Sequence, residues 1–119
     1  MKISGRIWLE NDDKEKLFGI GICDLLKGVG KYGSLSEAAK QMGMSYNKAH
    51  NLVKIMEKRL GFSVITTQIG GVRGGGSTLT EKGFSMIERY DKLMEKLNKD
   101  MEEGFNLYFS DLDKEREIE

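Results

Sequence analysis

The 119-residue sequence contains one cysteine, one histidine and no long run of apolar residues. Within one chain, the single Cys23 excludes a disulfide and favours a buried thiol in a reducing compartment. Together with His50 it is too little for a zinc site or a Cys-His catalytic pair, so we expect no metal and no cofactor. No apolar run approaches the roughly 18 residues of a membrane helix, and the N-terminus lacks the apolar stretch of a signal peptide. The sequence therefore predicts a cytoplasmic protein without a membrane partner.

Net charge is also lacking, because 19 basic residues balance 19 acidic ones. The distribution is nevertheless uneven. Residues 1–30 are neutral, residues 31–75 hold seven basic and two acidic side chains, and residues 76–119 hold seven basic and twelve acidic ones. The middle segment therefore carries a charge of +5 and the last segment −5. This asymmetry favours a cationic surface that binds a polyanion, with chance scatter of charges as the alternative.

The length of the chain fits one compact domain. In residues 2–10, apolar and polar side chains alternate, which predicts a first strand. Residues 11–13 (Asn-Asp-Asp) then favour the start of a helix that ends at Gly33. The apolar positions that would bury one face of this helix are Leu17, Ile20, Leu25, Leu26 and Val29.

Two short helices joined by a tight turn are predicted next. Ser34 and Glu37 have the spacing of a capping box, which predicts a helix over residues 35–42 with small alanines on its inner face. A glycine then favours a left-handed helix end. Ser45 can cap a second helix, over residues 46–60, only three residues later. Such an arrangement is typical of a helix-turn-helix.

The remaining residues predict a hairpin and a long helix. Residues 63–68 are rich in β-branched side chains, and residues 77–79 can pair with them as an antiparallel hairpin, the wing. A last helix over about residues 81–108 completes a domain of residues 1–110, and the charged residues 111–119 are predicted to be a frayed or disordered tail. The apolar stripe of the last helix, spaced alternately by three and four, consists of Ile87, Tyr90, Met94, Leu97 and Met101.

The second helix of the helix-turn-helix has two contrasting faces at about 100° per residue. Its buried stripe is predicted to be Ala49, Leu52, Val53, Met56 and Leu60. The opposite face has amides, an imidazole and lysines but no acid. Asparagine pairs with adenine and lysine reaches guanine or phosphate, so this face favours contacts with DNA bases, with an ordinary solvated helix face as the alternative. The predicted base-reading residues are Asn47, His50, Asn51 and Lys54.

Other DNA contacts are predicted at the helix start and in the wing. Tyr46 and Lys48 are expected to hold phosphates together with the backbone amides of the helix N-terminus. Arg73 lies among the glycines of residues 70–76 and is expected to reach a minor groove or the DNA backbone. The glycine spacing also matches a phosphate-binding loop, but Gly76 stands where that loop needs its lysine. A nucleotide-hydrolysing enzyme is therefore the weakest hypothesis.

Two stretches of the sequence have a recognisable pattern: GSLSEAAKQMGMSYNKAHNLVKIMEKRLG, followed by GGVRGGGSTLTEKG. They resemble the N-terminal domain of the molybdate-responsive regulator (ModE) family, and the resemblance covers about residues 14–95. LysR-type regulators resemble the sequence more distantly, and they share with it the pair of alanines, the serine and the LT..G motif of these stretches. The resemblance implies a winged helix-turn-helix that dimerises through its flanking helices and binds palindromic promoter DNA. The DNA-binding residues that it implies are Ser45, Tyr46, Asn47, Lys48 and Arg73.

The chain departs from this family at two points. Members usually have tryptophan where this chain has His50, which changes the expected contacts with bases. The family binds molybdate in separate C-terminal β-rich domains, whereas these 119 residues end in a charged segment. The resemblance therefore does not extend to molybdate sensing within this sequence.

Taken together, the sequence predicts a mainly α-helical winged helix-turn-helix with a small β-hairpin wing and a long C-terminal dimerisation helix. The leading hypothesis is a homodimeric, sequence-specific transcription regulator that binds a palindromic double-stranded DNA operator and has no enzymatic activity. The alternative is a protein-interaction module, in which the helix-turn-helix is a scaffold and the last helix docks a partner. Salt-dependent affinity for DNA separates the two, because only a DNA-binding protein releases counterions from a duplex.

Overall fold

The computed structural model describes residues 1–68 and 76–116, with side chains described as far as residue 112. These residues form four helices and two antiparallel two-stranded sheets. Within the described ranges, no helix combines the length and apolar character needed to cross a membrane. In chain order, the elements are β1 (Leu9–Glu10), β2 (Lys16–Phe18), α1 (Ile20–Tyr32), α2 (Leu35–Gln41), α3 (Tyr46–Leu60), β3 (Ile65–Gln68), β4 (Gly76–Leu79) and α4 (Glu81–Arg116).

One apolar core lies between α1, α2 and α3, and the first part of α4 closes it. The rings of Phe18 and Tyr90 meet edge to face with centroids 5.3 Å apart, which joins β2 to α4. The Tyr90 hydroxyl also donates to the Ile7 carbonyl oxygen at 2.8 Å, so the N-terminal segment lies against α4. The buried apolar side chains are Phe18, Cys23, Leu25, Leu26, Val29, Leu35, Ala38, Ala39, Ala49, Val53, Met56, Val64, Ile65 and Tyr90.

The N-terminal region differs from its prediction. The strand predicted over residues 2–10 is limited to β1, and a second short strand, β2, precedes α1. The Asn11 side chain, expected to cap a helix, instead accepts hydrogen bonds from the backbone N–H groups of Asp13 at 3.0 Å and Glu15 at 2.9 Å. An asparagine bonded in this way closes a turn. The chain therefore reverses and pairs β2 with β1, and Ile20, predicted to be buried in the helix, is exposed at the start of α1.

The helix-turn-helix agrees with its prediction. The Ser34 hydroxyl accepts from the Glu37 N–H at 3.0 Å, and the Ser45 hydroxyl accepts from the Lys48 N–H at 3.2 Å, so each serine caps its helix. Helix α3 has the predicted bounds, and α2 ends one residue earlier than expected. The glycine of the turn, Gly43, has a φ of 70°, a left-handed value that other residues rarely adopt. Local hydrogen bonds and one glycine thus define this motif.

The wing forms with the predicted antiparallel pairing, in which Ile65 lies opposite Leu79 and Thr66 opposite Thr78. The first strand begins two residues later than predicted because the Val64 backbone has other partners. Its N–H donates to the Glu57 carboxylate at 2.7 Å, and its carbonyl accepts from the Thr80 N–H at 2.9 Å. The base of the hairpin is therefore attached to both α3 and α4. The predicted wing tip, including Arg73, lies outside the described residues.

Helix α4 begins at the predicted position but extends beyond the expected end near residue 108. It runs to Arg116, so residues 111–116 are helical and their prediction as a frayed tail was wrong. A helix of 36 residues is about 54 Å long. Among the described residues of α4, those that pack against the apolar core lie in its first half. Because the second half extends beyond the core, the longest dimension of the molecule is 65 Å.

Candidate nucleic-acid interface

Helix α3 presents most of the predicted DNA-binding residues to solvent. Its inner side buries Ala49, Val53 and Met56 against the core, as predicted. His50 is half-buried at the border between the two sides. The exposed members of the predicted set are Ser45, Tyr46, Asn47, Lys48, Asn51 and Lys54.

The exposed side of α3 concentrates amides and cations. At about 100° per residue, Asn47, Asn51, Lys54 and Lys58 lie within about 60° of one another on the helix surface. All four are exposed. Their amides offer paired donors and acceptors, and their ammonium groups offer positive charge, which are the groups that bind base edges and phosphates in a major groove. We call these four side chains the polar face of α3.

An aromatic pair lies beside the polar face at the start of the helix. The rings of Tyr46 and His50 are 5.8 Å apart between centroids and tilted by 32°. The two side chains therefore lie side by side, with Tyr46 48% exposed. Ser45 differs from its neighbours, because its hydroxyl already accepts from the Lys48 N–H and therefore fixes the start of α3.

A carboxylate that was not predicted from the sequence borders the polar face on the same side of α3 as the aromatic pair, nearer the C-terminal end of the helix. Glu57 is 9% exposed, and Lys54 Nζ is 3.4 Å from its Oε1 atom. Helical position alone places Glu57 between the buried stripe and the polar face, where a charged residue is expected to turn outward. Its burial depends on the backbone N–H groups of Val64 and Ile65, which come from β3.

The prediction that Leu52 is buried was wrong, since 41% of this residue is exposed. Ile55, on the same side of α3, is 49% exposed. Both side chains line a groove of about 200 Å³ between α3, β2 and the start of α1. Among the described residues, no helix or strand covers this side of α3. Arg59 closes one end of the groove, where it donates to the Lys16 carbonyl at 3.0 Å and pairs with Glu15 at 3.3 Å.

The wing is anchored near the helix-turn-helix. The Ser77 N–H donates to the Gly33 carbonyl at 2.9 Å, which joins β4 to the turn between α1 and α2. The Thr80 hydroxyl donates to the Ser63 carbonyl at 2.8 Å and accepts from the Gly83 N–H at 3.0 Å. These bonds fix the base of the hairpin relative to the α1–α2 turn and to the start of α4.

Comparison with known proteins gives consistent results. No family model matches the chain. Over 86 residues it is 37% identical to the molybdenum-pterin-binding protein MopB of Rhodobacter capsulatus, covering 70% of this chain and 32% of that protein. Over 69 residues it is 36% identical to the DNA-binding transcriptional dual regulator ModE of Escherichia coli K12, covering 58% of this chain and 26% of that protein. The chain therefore spans about a third or less of the length of these relatives.

The fold is also similar to solved structures. The DNA-binding domain of CbnR in complex with DNA matches with a TM-score of 0.52 at 20% identity, covering 67% of this chain and 86% of that one. Full-length CbnR with its target DNA matches with a TM-score of 0.55 at 19% identity, covering 72% of this chain and 28% of that one. At this level of identity the similarity establishes the fold and not the ligand.

Proposed function

We infer that this chain, which has a winged helix-turn-helix fold of the ModE and LysR type, is a sequence-specific DNA-binding regulator of transcription. The observation that carries the inference is the polar face of α3, which is exposed and rich in amides and cations, on a helix that Ser45 caps next to an anchored wing. In this class of fold, the second helix of the motif enters the major groove with its N-terminal half toward the bases.

The roles of individual residues follow from their positions. Asn47, His50, Asn51 and Lys54 would contact base edges, because they lie on or beside the polar face in the N-terminal part of α3. Tyr46 and Lys48, with the backbone amides that Ser45 orients, would hold phosphates and fix the position of α3 in the groove. Arg73 in the wing would contact the adjacent minor groove or backbone. These assignments involve no catalytic group, and we propose that the protein acts in the cytoplasm without enzymatic activity.

The experiment is fluorescence anisotropy with random duplex DNA and genomic fragments at two salt concentrations. Lys54→Glu combined with Arg73→Glu should reduce affinity at least about tenfold and make the logarithm of affinity less dependent on salt, because two cationic contacts are lost. The matched control is Lys92→Glu with Lys96→Glu, which makes the same charge change on exposed residues of α4. Binding that is absent at low salt, or lost equally in both variants, would contradict a DNA-reading α3 and direct attention to protein partners.

We further propose that the protein is a homodimer formed through α4, with residues 1–110 as the DNA-binding domain. The apolar stripe predicted from Ile87 to Met101 continues at spacings of three and four through Phe105, Tyr108 and Leu112, with two successive steps of four around Met101. Exposure rises along it, from 3% at Tyr90 to 72% at Tyr108. Met94, Leu97 and Met101 are half-buried, because the core and the N-terminal segment cover them in part.

At the distal end of this stripe, beyond the core, Tyr108 and Leu112 are 72% and 43% exposed, so the described residues do not bury them. A second copy offers the same stripe, and two such helices would pack together and bury both. A two-fold dimer would present two copies of α3 to one face of the duplex, which favours a palindromic operator.

Light scattering tests the dimer. Tyr108→Glu with Leu112→Glu should convert the dimer to a monomer, because four charges per dimer would enter the apolar contact. Asn106→Glu with Ser110→Glu adds the same charge to the opposite face of the same turns and should leave the dimer intact. A monomeric wild-type protein, or dissociation in both variants, would contradict this interface.

A further inference from the structure

We propose that Glu57 is a positioning residue that restrains Lys54 and joins it to the wing, so that it increases discrimination between DNA sequences more than it increases overall affinity. The inference rests on the proposed function and goes beyond it, because Glu57 does not lie on the polar face and would not contact DNA itself.

The two oxygens of the Glu57 carboxylate have different partners. Oε2 accepts from the N–H of Val64 at 2.7 Å and from that of Ile65 at 3.4 Å. Oε1 lies 3.4 Å from Lys54 Nζ. One carboxylate thus connects a predicted base-reading side chain of α3 with the backbone at the start of the wing.

The carboxylate is held more rigidly than an ordinary surface acid. Its side chain is 9% exposed, whereas 58% of the Lys54 side chain remains accessible to a ligand. In a typical surface ion pair both long side chains must be ordered, and the gain is small. Here the wing backbone already orders the acid, so pairing costs the ordering of the lysine alone. Glu57 therefore biases Lys54 toward one position on the polar face.

This bias affects specific and non-specific DNA contacts differently. A lysine free of the carboxylate can move to any nearby phosphate, and phosphate contacts strengthen binding to every sequence. A lysine held beside Glu57 keeps its ammonium group near one point of the groove, where a guanine acceptor in the correct position completes the contact. The carboxylate also offsets part of the attraction between Lys54 and phosphates. Loss of the Glu57 charge should accordingly raise non-specific affinity while lowering sequence discrimination.

The test is Glu57→Gln, which keeps an oxygen acceptor for the Val64 N–H and removes the charge that attracts Lys54. Affinities for a selected genomic fragment and for random duplex DNA are measured by anisotropy over a series of salt concentrations. We expect the ratio of the affinity for the specific fragment to the affinity for random DNA to fall about fivefold to tenfold. We also expect the slope of log affinity against log salt concentration on random DNA to correspond to about one more released counterion, since Lys54 then binds phosphate. Glu88→Gln, which removes the exposed partner of Lys92 on α4, should change neither quantity.

A second background separates positioning from a purely structural role. In Lys54→Met, the charge that Glu57 restrains is absent, so adding Glu57→Gln should change the affinity ratio by less than about twofold. An equal loss of discrimination in both backgrounds would mean that Glu57 acts only through the fold, and would overturn the proposal. So would a uniform drop in specific and random affinity.

Three further experimental outcomes each lead to a different conclusion about Glu57. If Glu57→Gln fails to fold, Glu57→Asp takes its place, because the shorter side chain withdraws the charge from Lys54. The proposal then requires lower discrimination in the wild-type background and little change in Lys54→Met, whereas an equal change in both contradicts it. A wild-type protein without salt-dependent DNA binding overturns the proposed function and this inference with it. Normal wild-type binding combined with a Glu57→Gln variant that behaves like Glu88→Gln overturns the inference alone.

Discussion

Gly28 of α1 and Ala38 of α2 are packed so closely that a Cβ atom on Gly28 would lie 2.8 Å from the Cβ atom of Ala38. The two small residues allow α1 and α2 to approach backbone to backbone. The three glycines within α1, Gly21, Gly28 and Gly30, weaken its helical tendency, and this contact gives a structural reason for Gly28. The position of α2, and with it the turn that leads into α3, depends on this pair.

Gly28→Ala should therefore destabilise the protein by about 1–3 kcal/mol, although alanine favours a helix, because the added methyl group overpacks the contact. The free energy of unfolding from urea denaturation measures the effect. Gly21→Ala in the same helix is the matched control, since an added Cβ there has no neighbour within 4 Å and should be neutral or stabilising by up to about 1 kcal/mol. Similar losses in both variants would contradict the packing argument.

Thr80 joins the wing to α4 through its hydroxyl, which donates to the Ser63 carbonyl and accepts from the Gly83 N–H. Thr80→Val keeps the shape but removes both bonds and the helix cap, and should cost about 1–2 kcal/mol. Thr80→Ser retains the hydroxyl and should lose less. The urea midpoint of the three proteins tests this order, and a valine variant as stable as the wild type would show that the hydroxyl contributes little.

Cys23 should make the protein less stable at alkaline pH. Burial raises the pKa of its thiol from 9.0 to about 11, and the charges of Asp91 and Asp24 act in the same direction, partly offset by Lys27. In the unfolded chain the thiol loses its proton near pH 9, whereas the folded chain keeps it. The stability that this thiol contributes is thus fully present below pH 9 and is lost as pH rises to about 11, on the order of 2 kcal/mol.

Denaturation of wild type and Cys23→Ala at pH 7, 9, 10 and 11 measures this loss. The alanine variant should show a shallower decline above pH 9, whatever its stability at pH 7. A remaining decline is expected in both proteins, because burial also raises the pKa of the Tyr90 hydroxyl. Parallel curves for the two proteins would contradict a contribution from the thiol.

Features that depend on a few neighbouring residues were predictable from the sequence. Ser34 and Ser45 cap α2 and α3 as expected, because a serine cap requires only its own side chain and a backbone N–H three residues later. The bounds of α3 and the wing pairing follow from equally local patterns. Asn11 shows the limit of such arguments, because the same side chain can cap a helix or close a turn, and the structure has the turn.

The face of α3 was predictable only in part. Ala49, Val53 and Met56 are buried as their spacing predicts, but Leu52 is exposed because none of the elements that the structure describes covers its side of the helix. Glu57 is buried because β3 supplies two N–H donors to its carboxylate. Helical periodicity indicates which residues share a face and contains no information about which neighbour packs on that face.

The sequence by itself determined the helix-turn-helix, the hairpin and the polar face of α3, since caps, glycines and periodicity act over a few residues. Only the tertiary structure decided that Glu57 joins Lys54 to the wing, that Leu52 lines an open groove, and that the apolar stripe of α4 extends beyond the core. The physical reason is that burial and the pairing of a charge depend on contacts between segments distant in the chain. Lys54 and Val64 share one carboxylate because folding brings the wing against α3.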